Sequence, residues 1–401
     1  MRRPRLVHHR DRPAVRRRPG PESVTRRQEP RPLNLPRTGQ RCDGLLHLEQ
    51  DPAPGARVTP DLLGLPKAEL HLHLEGAIRP STAAEMADLH GRPAPPAGPF
   101  HGLGEFVHAY ERARDLIGSL DDLHRIGREL VEDAAAQGVV WSEVYLIPPS
   151  YSGRLGPAEG VLEAVLDGMR AGTTENSAAR VIVGINRGLP MAAAEESLEL
   201  ALAYRDAGVV GLGLAGDEAN HPPEHFTDLF RRARTAGLLA VPHGGEGAGA
   251  ASVRACAETL GAHRISHGVR AVEDPRLLRE LAEKGVCLDV CPTSNVVLQV
   301  SPSLAEHPLP AIMAEGVPVT LSSDCPLFCG TTVVEEYQRV HEWLSLDARA
   351  LADLAETSLR FSACPAPRRT AALARLADWR QGHGGDASWP GRGPVSGVLE
   401  H

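Results

Sequence analysis

Histidine and acidic side chains mark the ends of four segments that have the apolar character of buried β-strands. In chain order they are His71, His73, His243, Glu246, His267 and Asp324. Imidazole nitrogens and carboxylate oxygens bind divalent metal ions and transfer protons. When such side chains recur at the carboxyl ends of parallel strands, they meet at one end of the sheet. The sequence therefore predicts one polar site to which several strands contribute.

The pair His71 and His73 is the strongest indication of a metal site. Two residues that are two positions apart on a strand project to the same side, so both imidazoles face the same space. A His-x-His pair alone is common on protein surfaces, and Asp324 alone could be the N-cap of a helix. Together with His243, however, they provide three imidazoles and one carboxylate, which suit zinc. A catalytic zinc lowers the pKa of water toward about 7.

Attack of water on an unactivated ring also needs groups that donate and accept protons. Glu246, in the run HGGE, is a candidate acid, and the glycines before it let the backbone approach a flat ligand. His267, in the run SHG, is a candidate base or an electrostatic partner of the attacking water. For this residue alone, a histidine that is simply buried in the core is the alternative. Asp324 could also accept a proton from the water.

Eight strand-like runs alternate with helical segments from about residue 59 onward. The runs span residues 68–76, 139–148, 180–187, 209–216, 238–246, 264–268, 286–294 and 318–324. This alternation predicts a parallel sheet of the α/β class, and eight strands are the number that closes a (β/α)8 TIM-type barrel. The long segment between the first two runs predicts extra helices, one of them in FHGLGEFVHAYERARDLI. An open, doubly wound sheet is the alternative.

Charge and cysteine content restrict the partners and the compartment. The chain has 401 residues and a net charge of −8, which argues against a nucleic-acid partner. The seven cysteines are odd in number and include no Cys-x-x-Cys pair, so we expect reduced thiols and a cytoplasmic protein. No apolar run approaches the ~20 residues of a membrane-spanning helix.

Residues 1–58 differ from the rest of the chain because they are rich in arginine and proline and have no apolar segment. They predict a disordered basic tail, or a start codon placed too far upstream, and neither a signal peptide nor a packed element. A basic arm that contacts an anionic partner is the alternative. We expect a single barrel domain over residues 59–382 and a flexible tail over residues 383–401.

Six short motifs follow one another in an order that resembles a known family. They are LPKAELHLHLEG, LAGDE, HGGE, SHG, CPTSN and SSDCP. Over about residues 62–380 the chain is similar to the adenosine deaminase family of the amidohydrolase superfamily. The resemblance implies a zinc-dependent (β/α)8 barrel, with one zinc ion per subunit, that removes the 6-amino group of adenine-type compounds.

The resemblance also implies a role for each polar residue. The implied zinc ligands are His71, His73, His243 and Asp324. Glu246 would protonate the purine ring nitrogen beside the attacked carbon, and His267 would orient and activate the water. The backbone of Gly216, in LAGDE, would contact the purine, and Glu75 lies where members of the family hold the sugar or its surroundings, often with aspartate.

Cys325 departs from the family pattern, in which a second aspartate usually hydrogen-bonds the imidazole edge of the purine. A thiol is a weak donor and a much poorer acceptor than a carboxylate. The exchange could cost roughly 1–3 kcal/mol where a buried partner is left unpaired. The substitution of Gly244 for the usual alanine of HGGE is a minor change.

Taken together, the motifs predict a hydrolytic deaminase of purine metabolism that acts on adenosine or deoxyadenosine as a small-molecule substrate. Glu75 and Cys325 leave other adenine compounds open, namely 6-amino-6-deoxyfutalosine, adenine or a modified nucleoside. A catalytically silent barrel that binds a nucleoside or a partner is a further alternative, which Cys325 alone supports. The cytidine deaminase architecture is excluded, because no Pro-Cys-x-x-Cys segment follows the run HLE.

Overall fold

The protein forms a barrel of eight parallel strands, seen here in a computed structural model that describes residues 60–96, 98 and 100–383. Each strand pairs with the next one along the chain. The strands are β1 (Lys67–His73), β2 (Val139–Leu146), β3 (Ala178–Asn186), β4 (Val209–Ala215), β5 (Leu239–Gly244), β6 (Arg264–His267), β7 (Cys287–Val290) and β8 (Val319–Leu321).

The barrel closes between β1 and the segment that follows β8. The backbone N–H of Asp324 donates to the carbonyl of His71 at 3.1 Å, and the N–H of His73 donates to the carbonyl of Asp324 at 2.9 Å. This closure confirms the predicted (β/α)8 barrel, and the alternative prediction of an open, doubly wound sheet is wrong. The last strand, Val319–Leu321, is shorter than the predicted 318–324. Asp324 has a left-handed φ of +60° and pairs with β1 as an isolated bridge to Leu72.

Fifteen α-helices accompany the strands in the described residues. They are α1 (Pro80–His90), α2 (Leu103–Leu116), α3 (Leu120–Ala136), α4 (Ser152–Leu155), α5 (Ala158–Gly172), α6 (Met191–Ala203), α7 (Thr227–Thr235), α8 (Ala250–Glu258), α9 (Pro275–Lys284), α10 (Pro292–Val297), α11 (Leu309–Ala314), α12 (Pro326–Cys329), α13 (Val333–Leu344), α14 (Ala348–Arg360) and α15 (Ala366–His383). Short 3₁₀ helices span Glu75–Ala77, Pro148–Tyr151, Pro223–Phe226, Val269–Glu273 and Leu304–Glu306. The helices α1, α2 and α3 confirm the extra helices expected between β1 and β2.

Residues at the helix ends explain where several helices begin and stop. Before α3, Ser119 and Asp122 form a capping box, in which each side chain accepts a hydrogen bond from the backbone N–H of the other. Asp274 caps the start of α9 by accepting two backbone N–H groups, and Gly285 ends this helix with a φ of +65°. These local signals set helix lengths, and thereby where each following strand begins.

A buried ionic network crosses the inside of the barrel. The guanidinium of Arg264 on β6 donates to Glu143 on β2 at 2.6 Å and to Asp289 on β7 at 2.8 Å. All three side chains are fully buried, where removal of one partner would leave an uncompensated charge. Thr320 on β8 donates to the second carboxylate oxygen of Asp289 at 2.7 Å. The network therefore ties β2, β6, β7 and β8 together across the barrel interior.

The expected tails over residues 1–58 and 383–401 lie outside the described residues, except for His383, which ends α15. Within the described part of the chain, no helix has both the length and the apolar character needed to cross a membrane.

Candidate active site

Three imidazole nitrogens and one carboxylate oxygen converge at the carboxyl end of β1. Nε2 of His243 lies 3.1 Å from Nε2 of His71 and 3.1 Å from Nε2 of His73. Oδ1 of Asp324 lies 3.5 Å from Nε2 of His71 and 3.4 Å from Nε2 of His73. All four side chains are buried. The structure thus brings together the four residues that the sequence predicted as metal ligands.

These separations fit the ligand shell of a small divalent ion. Four ligands placed tetrahedrally at about 2.0–2.1 Å from zinc are roughly 3.3 Å from one another. A cation also satisfies ring nitrogens whose lone pairs would otherwise face one another. Burial lowers the pKa of His73 to about 4. Burial, followed by His71 and His73, lowers the pKa of His243 well below its usual range. Both rings are therefore neutral at pH 7, as metal ligation requires.

Neighbouring groups orient two of these candidate ligands. Nδ1 of His71 lies 3.2 Å from the carbonyl of Asp289, which directs Nε2 toward the other candidate ligands. The hydroxyl of Ser294 donates to Oδ2 of Asp324 at 2.6 Å and leaves Oδ1 directed at the histidines. The alternative role of Asp324 as a helix N-cap is wrong, because Cys325 occupies the N-cap position of α12.

Glu246 lies on a loop that another carboxylate holds in place. Both oxygens of the buried Glu218 side chain accept backbone N–H groups of this loop. The donors are Gly245 at 2.7 Å, Glu246 at 3.1 Å, Gly247 at 2.7 Å and Ala248 at 3.0 Å. Four consecutive N–H groups directed at one carboxylate form an anion-binding concavity. Glu218 therefore determines the path of the backbone from which the Glu246 side chain projects.

Glu246 and Asp324 have opposite pKa shifts. Burial raises the pKa of Glu246 well above its usual range, and the carboxylates of Asp324 and Glu218 raise it further. Burial also raises the pKa of Asp324, but His71, His73 and a hydroxyl donor outweigh it and hold this pKa below its usual range. These opposite shifts favour the protonated form of Glu246 and the ionised form of Asp324. Such a divergence separates a proton donor from a proton acceptor.

His267 faces the same site from the end of β6. Its Nε2 lies 3.4 Å from Oε1 of Glu246, and its Nδ1 accepts a hydrogen bond of 3.1 Å from the amide of Asn295. The backbone φ of His267 is +64°, a strained conformation that is concentrated at functional sites. Burial lowers the pKa of His267 to about 3, so the ring is neutral. The alternative of an isolated core histidine does not describe this environment.

A cavity opens above the converging side chains. Together with its open mouth it encloses about 800 Å³ of space. It is lined by His73, His243, Glu246, His267, Asp324, Glu75, Gly216, Cys325 and residues of α2 and of the β2 and β3 ends. Gly216 has a φ of +97°, and a side chain there would begin 3.0 Å from Oδ1 of Asn186. A glycine is therefore required at this wall.

Glu75 is held by two tyrosines from different parts of the chain. Tyr110, on α2, donates to one carboxylate oxygen at 2.5 Å, and Tyr151, after β2, donates to the other at 2.5 Å. Burial and the Glu75 charge raise the pKa of both tyrosines well above the usual range, so both hydroxyls remain donors. Each oxygen of the carboxylate is thus already engaged by a protein donor.

Cys325 lies in an apolar environment beside the site. Its thiol donates to Oδ1 of Asp324 at 3.5 Å, and the residue belongs to an apolar cluster that includes Phe106 and Phe328. A Cβ on Gly76 would lie 2.6 Å from the Cβ and the Sγ of Cys325, so a glycine is required there. The side chain at position 325 therefore has little free space on the side of the 3₁₀ helix Glu75–Ala77.

Several residues of the site were not singled out from the sequence. They are Glu218, Ser294, Asn295, His307, Tyr110 and Tyr151. Glu218 belongs to the motif LAGDE, and Ser294 and Asn295 belong to CPTSN. Their positions within these motifs could therefore have identified them as candidate site residues. The two tyrosines lie in segments that carry no signal of this kind.

Residues 66–379 match the sequence profile of the adenosine deaminase family. The chain belongs to this family. The matched segment begins just before β1 and ends within α15, so it contains every residue of the site described above.

Relatives in the family are named for different adenine compounds. A provisional adenosine/adenine deaminase of Streptomyces coelicolor is 38% identical over 335 residues, which cover 80% of this chain and 98% of the relative. An aminodeoxyfutalosine deaminase of the same organism is 35% identical over 367 residues, with coverage of 86% and 94%. Family membership therefore does not identify which adenine compound is the substrate.

Solved structures in the family share the barrel. The crystal structure of an adenine deaminase from Arthrobacter aurescens has a TM-score of 0.74 at 30% identity and covers 79% of this chain and 99% of that one. An amidohydrolase from Burkholderia ambifaria, whose structure contains zinc, has a TM-score of 0.71 at 27% identity, with coverage of 80% and 92%. This chain is a hydrolytic deaminase of the metal-dependent adenosine deaminase family, and its histidine-rich site could hold a metal ion.

Proposed function

We propose that the chain is a zinc-dependent enzyme that removes the 6-amino group of an adenine-type nucleoside. Adenosine or deoxyadenosine and water would give inosine or deoxyinosine and ammonia. The observation that carries this proposal is the convergence of four candidate ligand atoms, within 3.1–3.5 Å of one another along the measured pairs, beside a carboxyl group with a raised pKa. These are the parts that a hydrolytic deamination needs.

One zinc ion per subunit would be held by His71, His73, His243 and Asp324. Neutral imidazoles with a single carboxylate favour zinc over magnesium or calcium, which prefer oxygen ligands. When bound, zinc supplies a water nucleophile whose pKa is lowered toward about 7. The zinc in the relative from Burkholderia ambifaria supports this choice of metal.

Glu246 and Asp324 would divide the proton transfers between them. Glu246, protonated because of burial and neighbouring carboxylates, would donate its proton to the ring nitrogen next to the attacked carbon. Asp324, ionised among the histidines, would accept a proton from the attacking water. His267 would orient that water from the end of β6. The leaving ammonia would take a proton that these groups hold.

The substrate would lie in the cavity above these groups. Gly216 would let the backbone of the β4 end approach the purine, since no side chain projects from it. Cys325 would contact the ring and Glu75 would face the substrate tail. Glu111 and Arg114 on α2 also line the cavity and could be polar partners for a sugar. These two residues favour a nucleoside.

Adenine itself is the second candidate, and the Glu75 environment favours it. Because each oxygen of Glu75 already accepts a tyrosine hydroxyl at 2.5 Å, the carboxylate has less capacity to accept a sugar hydroxyl. A substrate without a sugar would need no such contact.

The test is a substrate panel on zinc-loaded protein. Adenosine, deoxyadenosine, adenine and aminodeoxyfutalosine would be compared by ammonia release and by the change in purine absorbance, with kcat/KM for each. We expect adenosine or deoxyadenosine to have the highest value. A value for adenine that is at least tenfold higher would replace the nucleoside with the second candidate. Absence of turnover on the whole panel, with one zinc per chain measured in the protein, would reject the proposal.

A matched pair of variants separates the two candidates further. Tyr110→Phe removes one hydroxyl donor from Glu75 and keeps the ring. If the tyrosines compete with a sugar hydroxyl, the variant should raise kcat/KM for adenosine and leave that for adenine unchanged. Tyr204→Phe, which removes an exposed tyrosine hydroxyl bonded to Glu159 and Glu163, is the control and should change neither.

A further inference from the structure

A buried chain of hydrogen bonds runs from a backbone amide to His267. It begins at Leu309, whose N–H donates to Nδ1 of His307 at 3.1 Å. A backbone N–H can only donate, so Nδ1 of His307 must be the acceptor and carries no proton. Burial lowers the pKa of His307 to about 4, so its ring is neutral. The single proton of a neutral imidazole is therefore on Nε2 of His307.

The second step fixes the side-chain amide of Asn295. Nε2 of His307 lies 3.0 Å from Oδ1 of Asn295, so its N–H donates to that oxygen. Asn295 is fully buried. A flipped amide would place its NH2 group against the N–H of His307, with two donors facing each other. The orientation of the amide thus follows from the proton position on His307.

The third step reaches the site. With Oδ1 engaged by His307, the NH2 group of Asn295 is directed at Nδ1 of His267, 3.1 Å away. Nδ1 of His267 is consequently an acceptor. A neutral ring then carries its proton on Nε2, the nitrogen that lies 3.4 Å from Oε1 of Glu246 and faces the cavity.

We propose that Asn295 and His307 are positioning residues that set His267 in the tautomer with its proton on Nε2. His267 then acts on the substrate side as a hydrogen-bond donor and cannot serve there as the base. This outcome selects between the two roles that the sequence left open for His267, and it leaves Asp324 as the proton acceptor. The consequence for catalysis rests on the proposed function, whereas the proton position does not.

The direct test locates the proton in the zinc-loaded wild-type protein. Nitrogen-15 NMR of histidine-labelled protein distinguishes protonated from unprotonated ring nitrogens, and loss of signals in His267→Asn assigns the residue. We expect a protonated Nε2 and an unprotonated Nδ1. A proton on Nδ1 of His267 in the wild type would overturn the inference. This measurement needs no substrate, so it stands even if the proposed function fails.

The kinetic test uses Asn295→Asp, which keeps the shape of the side chain and still accepts from His307. Its carboxylate cannot donate to Nδ1 of His267, so a proton is drawn to that nitrogen. We expect the NMR signal of a protonated Nδ1 and a fall in kcat of about 10²- to 10⁴-fold, the range for loss of a proton-transfer group or its correct tautomer, with KM little changed. An unchanged kcat with the proton on Nδ1 would refute the positioning role.

Substitution of His307 provides an independent check. His307→Leu removes the donor to Asn295 and should lower kcat. His307→Gln can accept from Leu309 and donate to Asn295, so it should restore a large part of the lost kcat and the Nε2 proton of His267. Equal kcat values for the two variants would contradict the relay. Asn176→Asp, an exposed change of the same chemical kind in the loop before β3, is the control.

Discussion

Replacement of Glu218 by glutamine tests whether the loop that carries Glu246 depends on a single carboxylate. One oxygen of Glu218 accepts the N–H of Gly245, and the other accepts three further N–H groups of the loop. The glutamine side chain has the same shape. Its oxygen can keep the three bonds, and its NH2 group then faces the buried N–H of Gly245.

The expected loss of stability follows from this geometry. One hydrogen bond to a charged group, worth about 1.5–3 kcal/mol, is lost. The three remaining bonds lose their charge assistance and become weaker. We therefore expect the free energy of unfolding to fall by about 2–4 kcal/mol in Glu218→Gln. Displacement of Glu246 by about 1 Å would lower kcat by about 10²-fold.

The substitution should also change the pH dependence of activity. The Glu218 charge contributes to the raised pKa of Glu246, so its removal lowers this pKa. Glu246 then loses its proton at a lower pH, and the alkaline decline of kcat moves to lower pH. Unfolding in urea and kcat between pH 5 and pH 9 measure both effects, with Glu283→Gln on the exposed side of α9 as the control. A Glu218→Gln enzyme with wild-type stability and wild-type pH profile would refute the reasoning.

Four other perturbations have expected outcomes. Arg264→Leu should lower the free energy of unfolding by about 3–5 kcal/mol, measured in urea, because it leaves the buried carboxylates of Glu143 and Asp289 without their partner. Cys325→Asp should lower it by at least about 1–3 kcal/mol, since a carboxylate would be buried in an apolar cluster. The folded-state pKa of His307 is about 4, below the unfolded value of 6.5, so protonation of this ring should cost the wild type about 3 kcal/mol as the pH falls from 6.5 to 4. A His307→Gln variant should lose that much less than the wild type over the same pH interval. Removal of metal by a chelator should abolish turnover and lower Tm, and zinc should restore both, with a rise in Tm that depends on zinc concentration.

Local patterns in the sequence were sufficient to predict the barrel fold and the candidate metal ligands. The alternation of apolar runs and helical segments predicted eight strands, and all eight are present. Strand geometry alone placed His71 and His73 on one side of β1, because side chains alternate along a strand. The same rule assigned the other polar residues to strand ends, where parallel strands of a barrel expose them together.

The residues that support the site could not be predicted in this way. The bonds from Glu218 to the Glu246 loop join the end of β4 to the end of β5, and the contact depends on the side-by-side position of the two strands. Tyr110 reaches Glu75 from α2, and Tyr151 reaches it from the 3₁₀ helix after β2, two segments that only the folded chain brings to the end of β1. No periodicity in the chain encodes such a contact.

The sequence by itself determined the class of chemistry. It specifies the side chains of His71, His73, His243 and Asp324, and the alternation of side chains along a strand together with the order of the eight strands places them at strand ends. The tertiary structure decided the protonation of the site. Burial and the carboxylates of Asp324 and Glu218 raised the pKa of Glu246, whereas the neighbouring histidines lowered that of Asp324 in spite of its burial. The amide of Asn295 set the direction of the hydrogen bond at His267. Charge and hydrogen-bond direction depend on distances between distant segments, and only the folded chain specifies those distances.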